Sequence, residues 1–447
     1  MRRAVAPLLV VTVALVLADS AVVTLALPDI LVELDATVGQ VAWVLISFNL
    51  VLGLGAVPAA IGLARARPQL VSAVGIAAFA GSSAWCAVAD SIEVLIVARC
   101  VQALGGALAL VGCLELLVAE WGERRGVGAW VTAGVVGTAA GPVAGGLLTQ
   151  AISWEAIFVA QVPFAALAVP AALAVPGAPA LPPDRHRPAI RPNVTLALLS
   201  AALTAALFLL VLLLVQGWGR SPATAALTVS VVPVAALAAR PLARLFRPPP
   251  ELEVAVGCLL VAGGLAGLAL PPSAHLAWTV APQALVGLGL GLTVDRLTSQ
   301  AMEMRLPRAH HAAWTIGARH VGVVVGLAIL TPVFTADLRE AEVPAQEAIT
   351  ALVLDAPLTP DSKIAIARAL GDELADQRGQ IPDLHRAFAA AELEPEERAA
   401  ADALERDLDS QLERAATYAF RDSFLIGAAL ALAALLVMVV PGRRRAS

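Results

Sequence analysis

Tyrosine and lysine each occur once in this 447-residue sequence, and cysteine only four times. With Tyr418 and ten phenylalanines, the chain is poorly equipped to build an aromatic cage around a cation. Cys86, Cys100, Cys113 and Cys258 all fall inside apolar runs, which argues against a disulfide framework or a cysteine-based zinc site. Charge is scarce as well. Asp, Glu, Lys and Arg make up 15% of the chain, whereas soluble domains carry roughly a quarter. No phosphate-binding loop, nucleophile elbow or zinc-ligand spacing is present, so neither an enzyme nor a bound cofactor is expected. His310, His311 and His320 lie near one another without ligand spacing, and no metal is expected there. A net charge of −5 gives no basis for a nucleic-acid partner.

Apolar residues are abundant instead. At 59% of the chain they exceed what one soluble core of this size can hide, so a lipid bilayer must solvate much of the surface. A helix crosses the hydrocarbon layer with about 20 apolar residues. Twelve stretches qualify, at approximately 7–28, 40–63, 69–89, 93–119, 127–150, 155–175, 194–215, 223–246, 253–270, 276–300, 312–335 and 421–441. The first run continues past Asp19 to Pro28, which favours a span over a cleaved leader. The fold class expected is an all-α membrane protein of twelve transmembrane helices. The Pro-rich stretch 176–192 divides them into an N-terminal bundle at 1–175 and a C-terminal bundle at 193–447.

Arginine sets the expected orientation. With the N-terminus inside, 18 arginines fall in inner segments, from Arg2 and Arg3 through Arg124 and Arg125 to Arg443–Arg445. The short outer loops hold only Arg220. Positive residues stay on the cytoplasmic side, so both ends are expected there, across a bacterial inner (plasma) membrane. The bacterial source is read from 29 arginines against one lysine, the signature of a GC-rich genome. Trp43, Trp154, Trp218 and Trp278 fall near outer span ends, where an interfacial belt would place them.

Residues 335–422 break the pattern, with 20 acids and 9 bases, while the rest of the chain has 15 acids and 21 bases. This segment separates the last two spans, and the insert at 336–420 is expected outside the cytoplasm. Pro344, Pro357, Pro360, Pro382 and Pro395 punctuate it. A helix is expected from Pro360, with Ile364, Ala367, Leu370 and Leu374 on one face and Gly379 closing it. Leu404, Leu408, Leu412 and Ala416 then repeat every four residues into the final span. Two readings stand: a small helical cap or solvated hairpin, or an outer vestibule or surface for a periplasmic or cell-envelope partner.

The spans themselves hold a few charges. Asp19 lies in the middle of the first and Arg99 in the fourth, with Gln102 one turn on. A charge at that depth must pair or face a polar cavity. A carboxyl group poised between desolvation, which favours its neutral form, and a nearby guanidinium, which favours the ion, can exchange a proton as its access changes sides. Glu115 near the inner end of the fourth span and Asp295-Arg296 in the tenth are further charge sites, as second proton or cation sites or as gate ion pairs. Asp295 and Arg296 are adjacent on a helix, so they are expected to find different partners. Arg319 in the eleventh span reads as a gate or packing charge, or as a substrate contact. In the fifth span Gly137, Gly141 and Gly145 share one face, Gly146 follows, and Pro142 invites a bend.

These strings carry a resemblance. Asp19–Pro28 is similar to the first-helix signature of proton-driven multidrug antiporters in the major facilitator superfamily. Arg99–Gly106 and Gly137–Gly146 resemble that branch's fourth- and fifth-helix motifs, the latter its antiporter motif. Ser153-Trp154 with Val162-Pro163, and Arg319-His320 with Gly322 and Gly326, resemble its sixth- and eleventh-helix patterns. The resemblance implies two pseudo-symmetric bundles that rock about a midplane site. It also implies proton coupling through Asp19 and Arg99, and export of a small amphipathic substrate driven by the proton gradient without a cofactor. Lipid or lipid-linked metabolite export is the alternative cargo.

The chain departs from the pattern after the second span. That loop usually carries an acid, but here Gly62–Pro68 holds only the bases Arg65 and Arg67, expected at the inner gate. This departure keeps a transport-inactive scaffold or sensor in view. Thr24, Ala103 and Gln161 also replace usual residues. Exporters similar in motif often have fourteen spans.

Overall fold

The structure is a computed structural model and describes residues 2–176, 187–302, 305–376, 384–391 and 396–439. Among these residues all regular structure is helical. Hydrocarbon offers no partner to a backbone N–H or C=O, so each apolar run satisfies its own backbone by coiling. The spans in order are Val5–Thr24, Gly39–Leu63, Pro68–Cys86, Ile92–Trp121, the helix Glu123–Ala151, Ala156–Ala174, Ile190–Gly217, Pro222–Phe246, Pro250–Leu268, Ala277–Met302, the helix Arg308–Asp355, and Arg421–Val439. All twelve expected runs are present. The fifth bends by 42° between Thr138 and Ala140, where Pro142 removes the N–H that would bond one turn back.

Local chemistry marks the span ends. Thr37 and Gln40 form a capping box, Ser91 caps the fourth span, and Pro68, Pro222 and Pro250 occupy first-turn positions where a missing N–H costs nothing.

Packing repeats across the two halves. The first span packs on the fifth and the seventh on the eleventh; the third packs on the fourth and sixth, and the ninth on the tenth and twelfth. Between halves, the second span packs on the eleventh and the fifth on the eighth. Each pair maps onto its counterpart by a shift of six, the two pseudo-symmetric six-helix bundles that were expected.

The insert has its own core. Val353, Leu358, Ile366, Leu370, Leu384, Phe388, Leu404 and Leu408 bury one another apart from the two span clusters. The eleventh helix continues unbroken to Asp355, so the insert begins as an extension of a span rather than as a loop. The helix Pro360–Asp376 starts as expected, but turned: Ile366 and Leu370 face inward, while Ile364 is half exposed and Ala367 is exposed. Leu370 is buried as expected and belongs also to the i,i+4 row Ser362, Ile366 and Leu370, and it is this row that takes the core. The stripe Leu404, Leu408, Leu412 and Ala416 packs inward as read, and its helix Arg398–Ala419 leads directly into the twelfth span. Gly379, Pro382, Pro395, residues 177–186 of the linker with Arg185 and His186, and Arg443–Arg445 lie outside the described residues.

The tryptophan belt is only half present. Trp43 and Trp278 are about half exposed, but Trp154 and Trp218 are buried. A buried indole needs an acceptor: Trp154 donates to Glu33 at 2.7 Å and Trp218 to Thr417 at 2.9 Å.

Glu397 fastens the insert. Its carboxylate accepts from the Thr359 backbone N–H at 2.6 Å and from the Ser362 hydroxyl. These bonds, Ser362 first, hold its carboxyl below the usual range. A lowered folded-state value means stabilisation present at neutral pH and lost as pH falls through that value. Glu397→Gln is therefore expected to speed amide exchange at residues 359–362 at pH 7, with the difference from wild type vanishing in acid. Equal exchange at both pH values would remove Glu397 from this role.

Candidate transport site

The first and fourth spans meet so that Asp19 and Arg99, both wholly buried, form an ion pair through Asp19 Oδ2 and Arg99 Nη1. Neutral side chains from the third, fourth and sixth spans complete the cluster. Gln161 Nε2 donates to Asp19 Oδ1 at 2.8 Å, and Gln102 Nε2 at 3.3 Å. Arg99 Nη1 also donates to Gln102 Oε1 at 2.6 Å, and Ser83 accepts from Gln102 at 2.8 Å. The guanidinium carbon lies 4.1 Å from the centre of the Phe48 ring, close enough for a cation–π contact. Arg99 Nε and Nη2 nevertheless have no hydrogen-bond partner among the described residues. Much of Arg99's stabilisation therefore rests on one carboxylate. Neutralising Asp19 withdraws that support, so the pair is chemically suited to link a proton to rearrangement of these helices.

The fifth span fixes the first. A Cβ at Gly137, Gly141 or Gly145 would meet the carbonyl oxygens of Ala14, Ala18 and Val22 respectively, successive turns of the helix that bears Asp19. Gly146 faces the other half, against Pro222 and Ala226. Gln150 accepts from the Ala223 N–H at 2.7 Å beside it, closing the halves together on the face that carries the insert.

Cavities run from the opposite face to the middle. A vestibule of about 1130 Å³ is lined by Arg124, Thr132, Arg240, Asp295 and Arg305, among others. It shares Thr132, Arg240 and Asp295 with a cavity of about 140 Å³, whose wall includes Pro142 and Arg319. That cavity in turn shares Thr138, Leu203, Leu207 and Arg319 with one of about 90 Å³ beside Ser20 and Asn49. The seventh span, which supplies Leu203, Leu207 and Phe208, winds as π-helix over Ala205–Leu209 and Leu213–Gly217. Such turns recur at functional sites. Asn49 Oδ1 accepts from Ser20 at 3.2 Å and pairs at 2.7 Å with His320 Nδ1, joining the two halves one residue from Asp19.

The other expected charges take distinct places. Asp295 pairs with Arg240, while Arg296 grips Glu253 through Nε at 2.9 Å and Nη2 at 2.6 Å, so the adjacent residues do find different partners. Glu115 accepts from the Ala309 N–H at 3.2 Å, at the start of the eleventh helix, where an anion meets the positive end of the helix dipole. With the Arg308–Glu123 ion pair it ties the halves at the rim. Arg65 and Arg67 stand exposed and form no ion pair among the described residues. Asp19, Arg99 and Gln102 are thus brought together, Asp295 and Arg319 share a cavity wall, and Glu115 lies apart. Ser83, Asn49, Arg240 and Glu253 were not singled out. The one signal for Asn49 was a lone amide inside an apolar run.

Two bundles related by a six-helix shift, enclosing a cavity reached from one face, define a multi-pass membrane transporter. The chain belongs to the Major Facilitator Superfamily, which it matches over residues 9–331. It is 35% identical over 164 residues to the tetracenomycin C resistance and export protein of Streptomyces glaucescens, covering 36% of this chain and 30% of that one. It is 34% identical over 156 residues to the methylenomycin A resistance protein of Streptomyces coelicolor, covering 34% and 33%. With the multidrug resistance protein Stp of Mycobacterium tuberculosis the identity is 35% over 160 residues, covering 34% and 29%. The aligned region spans about a third of the length of these relatives. In fold, the chain is similar to a bacterial homologue of the human lysosomal transporter Spinster, with a TM-score of 0.60 at 16% identity and 98% coverage of both chains.

Proposed function

We propose that this chain exports amphipathic small molecules across a bacterial plasma membrane in exchange for protons, with both termini in the cytoplasm. The carrying observation is the buried Asp19–Arg99 pair, one residue from Ser20 in the wall of a cavity between the halves, in a series that opens toward the arginine-rich face. Export and resistance roles of the relatives support the same direction of transport. The N-terminal bundle at 1–175 and the C-terminal bundle at 193–447 then move about the linker 176–192, with Gly146 and Glu115 marking contacts that part on opposite faces.

The test is dye transport in inverted vesicles under an imposed pH gradient, with a panel of anionic, cationic and neutral amphiphiles. Acid-inside vesicles are expected to accumulate at least one compound and to lose it when a protonophore collapses the gradient. If no compound moves with the gradient, proton-coupled export falls and the scaffold reading gains. The insert favours a second cargo, lipid or a lipid-linked metabolite, because it has its own apolar core and stands on extensions of two spans. Deleting 340–415 separates the two: lipid transfer lost with dye export intact would favour the lipid cargo.

A further inference from the structure

Arg319 sits midway along the eleventh span and lines both of the small cavities between the halves. It makes no hydrogen bond and no ion pair among the described residues. The acids nearby are all engaged: Asp295 with Arg240, Asp19 with Arg99 and Glu253 with Arg296. Around Arg319 the walls are hydroxyls such as Thr138, Ser200 and Thr204 and several leucines, with the Asn49–His320 pair in one cavity and the Arg240–Asp295 pair in the other. A guanidinium offers five N–H donors and cannot shed its charge in a protein. Arg99 meets the same constraint by pairing, whereas Arg319 faces open cavity instead.

A neutral amphiphile entering this space would displace water from the guanidinium and leave its donors short of acceptors. A cation would add repulsion. Only an anion compensates both costs, and the leucines receive its apolar body. We infer that the cargo is an amphipathic organic anion, bearing a carboxylate, sulfonate, phosphate or acidic phenol, and that Arg319 is the residue that holds its charged group. This deepens the export reading and rests on the central cavity being the cargo site.

The test uses the full chain purified in a nonionic detergent, with 1-naphthalenesulfonate and 1-naphthylmethylammonium as probes of one shape and opposite charge. Calorimetry is expected to show the sulfonate bound at least about tenfold more tightly than the ammonium, the scale of one charge-assisted hydrogen bond. Arg319→Gln should erase that preference, and Arg319→Lys should restore part of it. Equal binding of the two probes by the wild type, binding of neither, or a sulfonate affinity unchanged in Arg319→Gln would each overturn the inference. The wild-type comparison decides even where a variant fails to fold.

The anion has two sources, the bilayer or water. Displacement of the sulfonate by lysophosphatidylglycerol but not lysophosphatidylcholine would support a lipid anion, and its persistence would support a water-soluble one. Binding is read without a pH gradient, so its failure is distinguishable from a failure of proton coupling. A chain that binds the sulfonate but accumulates nothing would lose only the coupling.

Discussion

Asp19→Asn is expected to abolish accumulation of dye in acid-inside inverted vesicles while preserving downhill exchange of the same dye at equal pH. Asparagine keeps the shape and one acceptor of the carboxylate, but it cannot bind and release a proton. It also turns an amide N–H or a neutral oxygen toward Arg99, whose Nε and Nη2 already lack hydrogen-bond partners among the described residues. Removing one member of a buried pair costs about 3–5 kcal/mol, because the surviving charge is left uncompensated. A loss of flux could therefore come from a damaged fold. Asp19→Asn combined with Arg99→Gln controls for this, since it removes both charges together and is expected to unfold at a higher temperature than the single variant. Neither should accumulate dye. Gradient-driven accumulation that persists undiminished in Asp19→Asn would sink proton coupling through this carboxylate, whatever the cargo.

How much of this was legible beforehand follows from what each residue type demands of its surroundings. Apolar runs in lipid must coil, so the twelve spans could be read directly. A buried carboxylate and a buried guanidinium demand each other, and Asp19 and Arg99 meet as expected. Neutral amides and hydroxyls make no such demand. Ser83 and Asn49 can satisfy themselves within their own helices, as Ser83 does toward Phe79 and Asn49 toward Leu45, so nothing in sequence fixes their distant partners. Gln161 was visible only as a departure from a motif, yet its amide makes the 2.8 Å bond to Asp19.

Partner choice among like residues was also hidden. The spacing of Asp295 and Arg296 showed that they diverge, but picking Arg240 and Glu253 requires knowing which spans lie alongside. The insert helix shows the same limit more sharply. Ile364 and Ile366 each share a helical row with Leu370, at i,i+6 through Ala367 and at i,i+4, and only the neighbouring helices decide that Ile366 and not Ile364 is buried.

The second large effect is expected at Gly145. Its missing side chain lets the fifth span touch the backbone of the first at Val22, one turn beyond Asp19. Gly145→Val places three carbons where the Val22 carbonyl stands, so the helices must separate. Overpacking of a close-fitting contact costs about 1–3 kcal/mol, and here the displaced element is the one that carries the ion pair. Flux is expected to fall at least about tenfold, which corresponds to roughly 1.4 kcal/mol, with a lowered unfolding temperature. Gly81→Val, where nothing lies within 4 Å, is the matched control and should leave flux unchanged.

Gly146→Val then separates packing from movement. Its closest clashes are with Ala226 and Pro222 of the other half, and the end of the first span offers only the far end of the Leu25 side chain at 3.3 Å, which can give way. It is therefore expected to hinder closure of the insert face and to stop flux while the Asp19–Arg99 cluster stays intact. A maleimide reagent applied from the insert side should react faster with a cysteine placed at Gln150 in this variant than in the wild type. Equal labelling would mean that the Gly146 contact is static packing and that closure of this face is governed elsewhere.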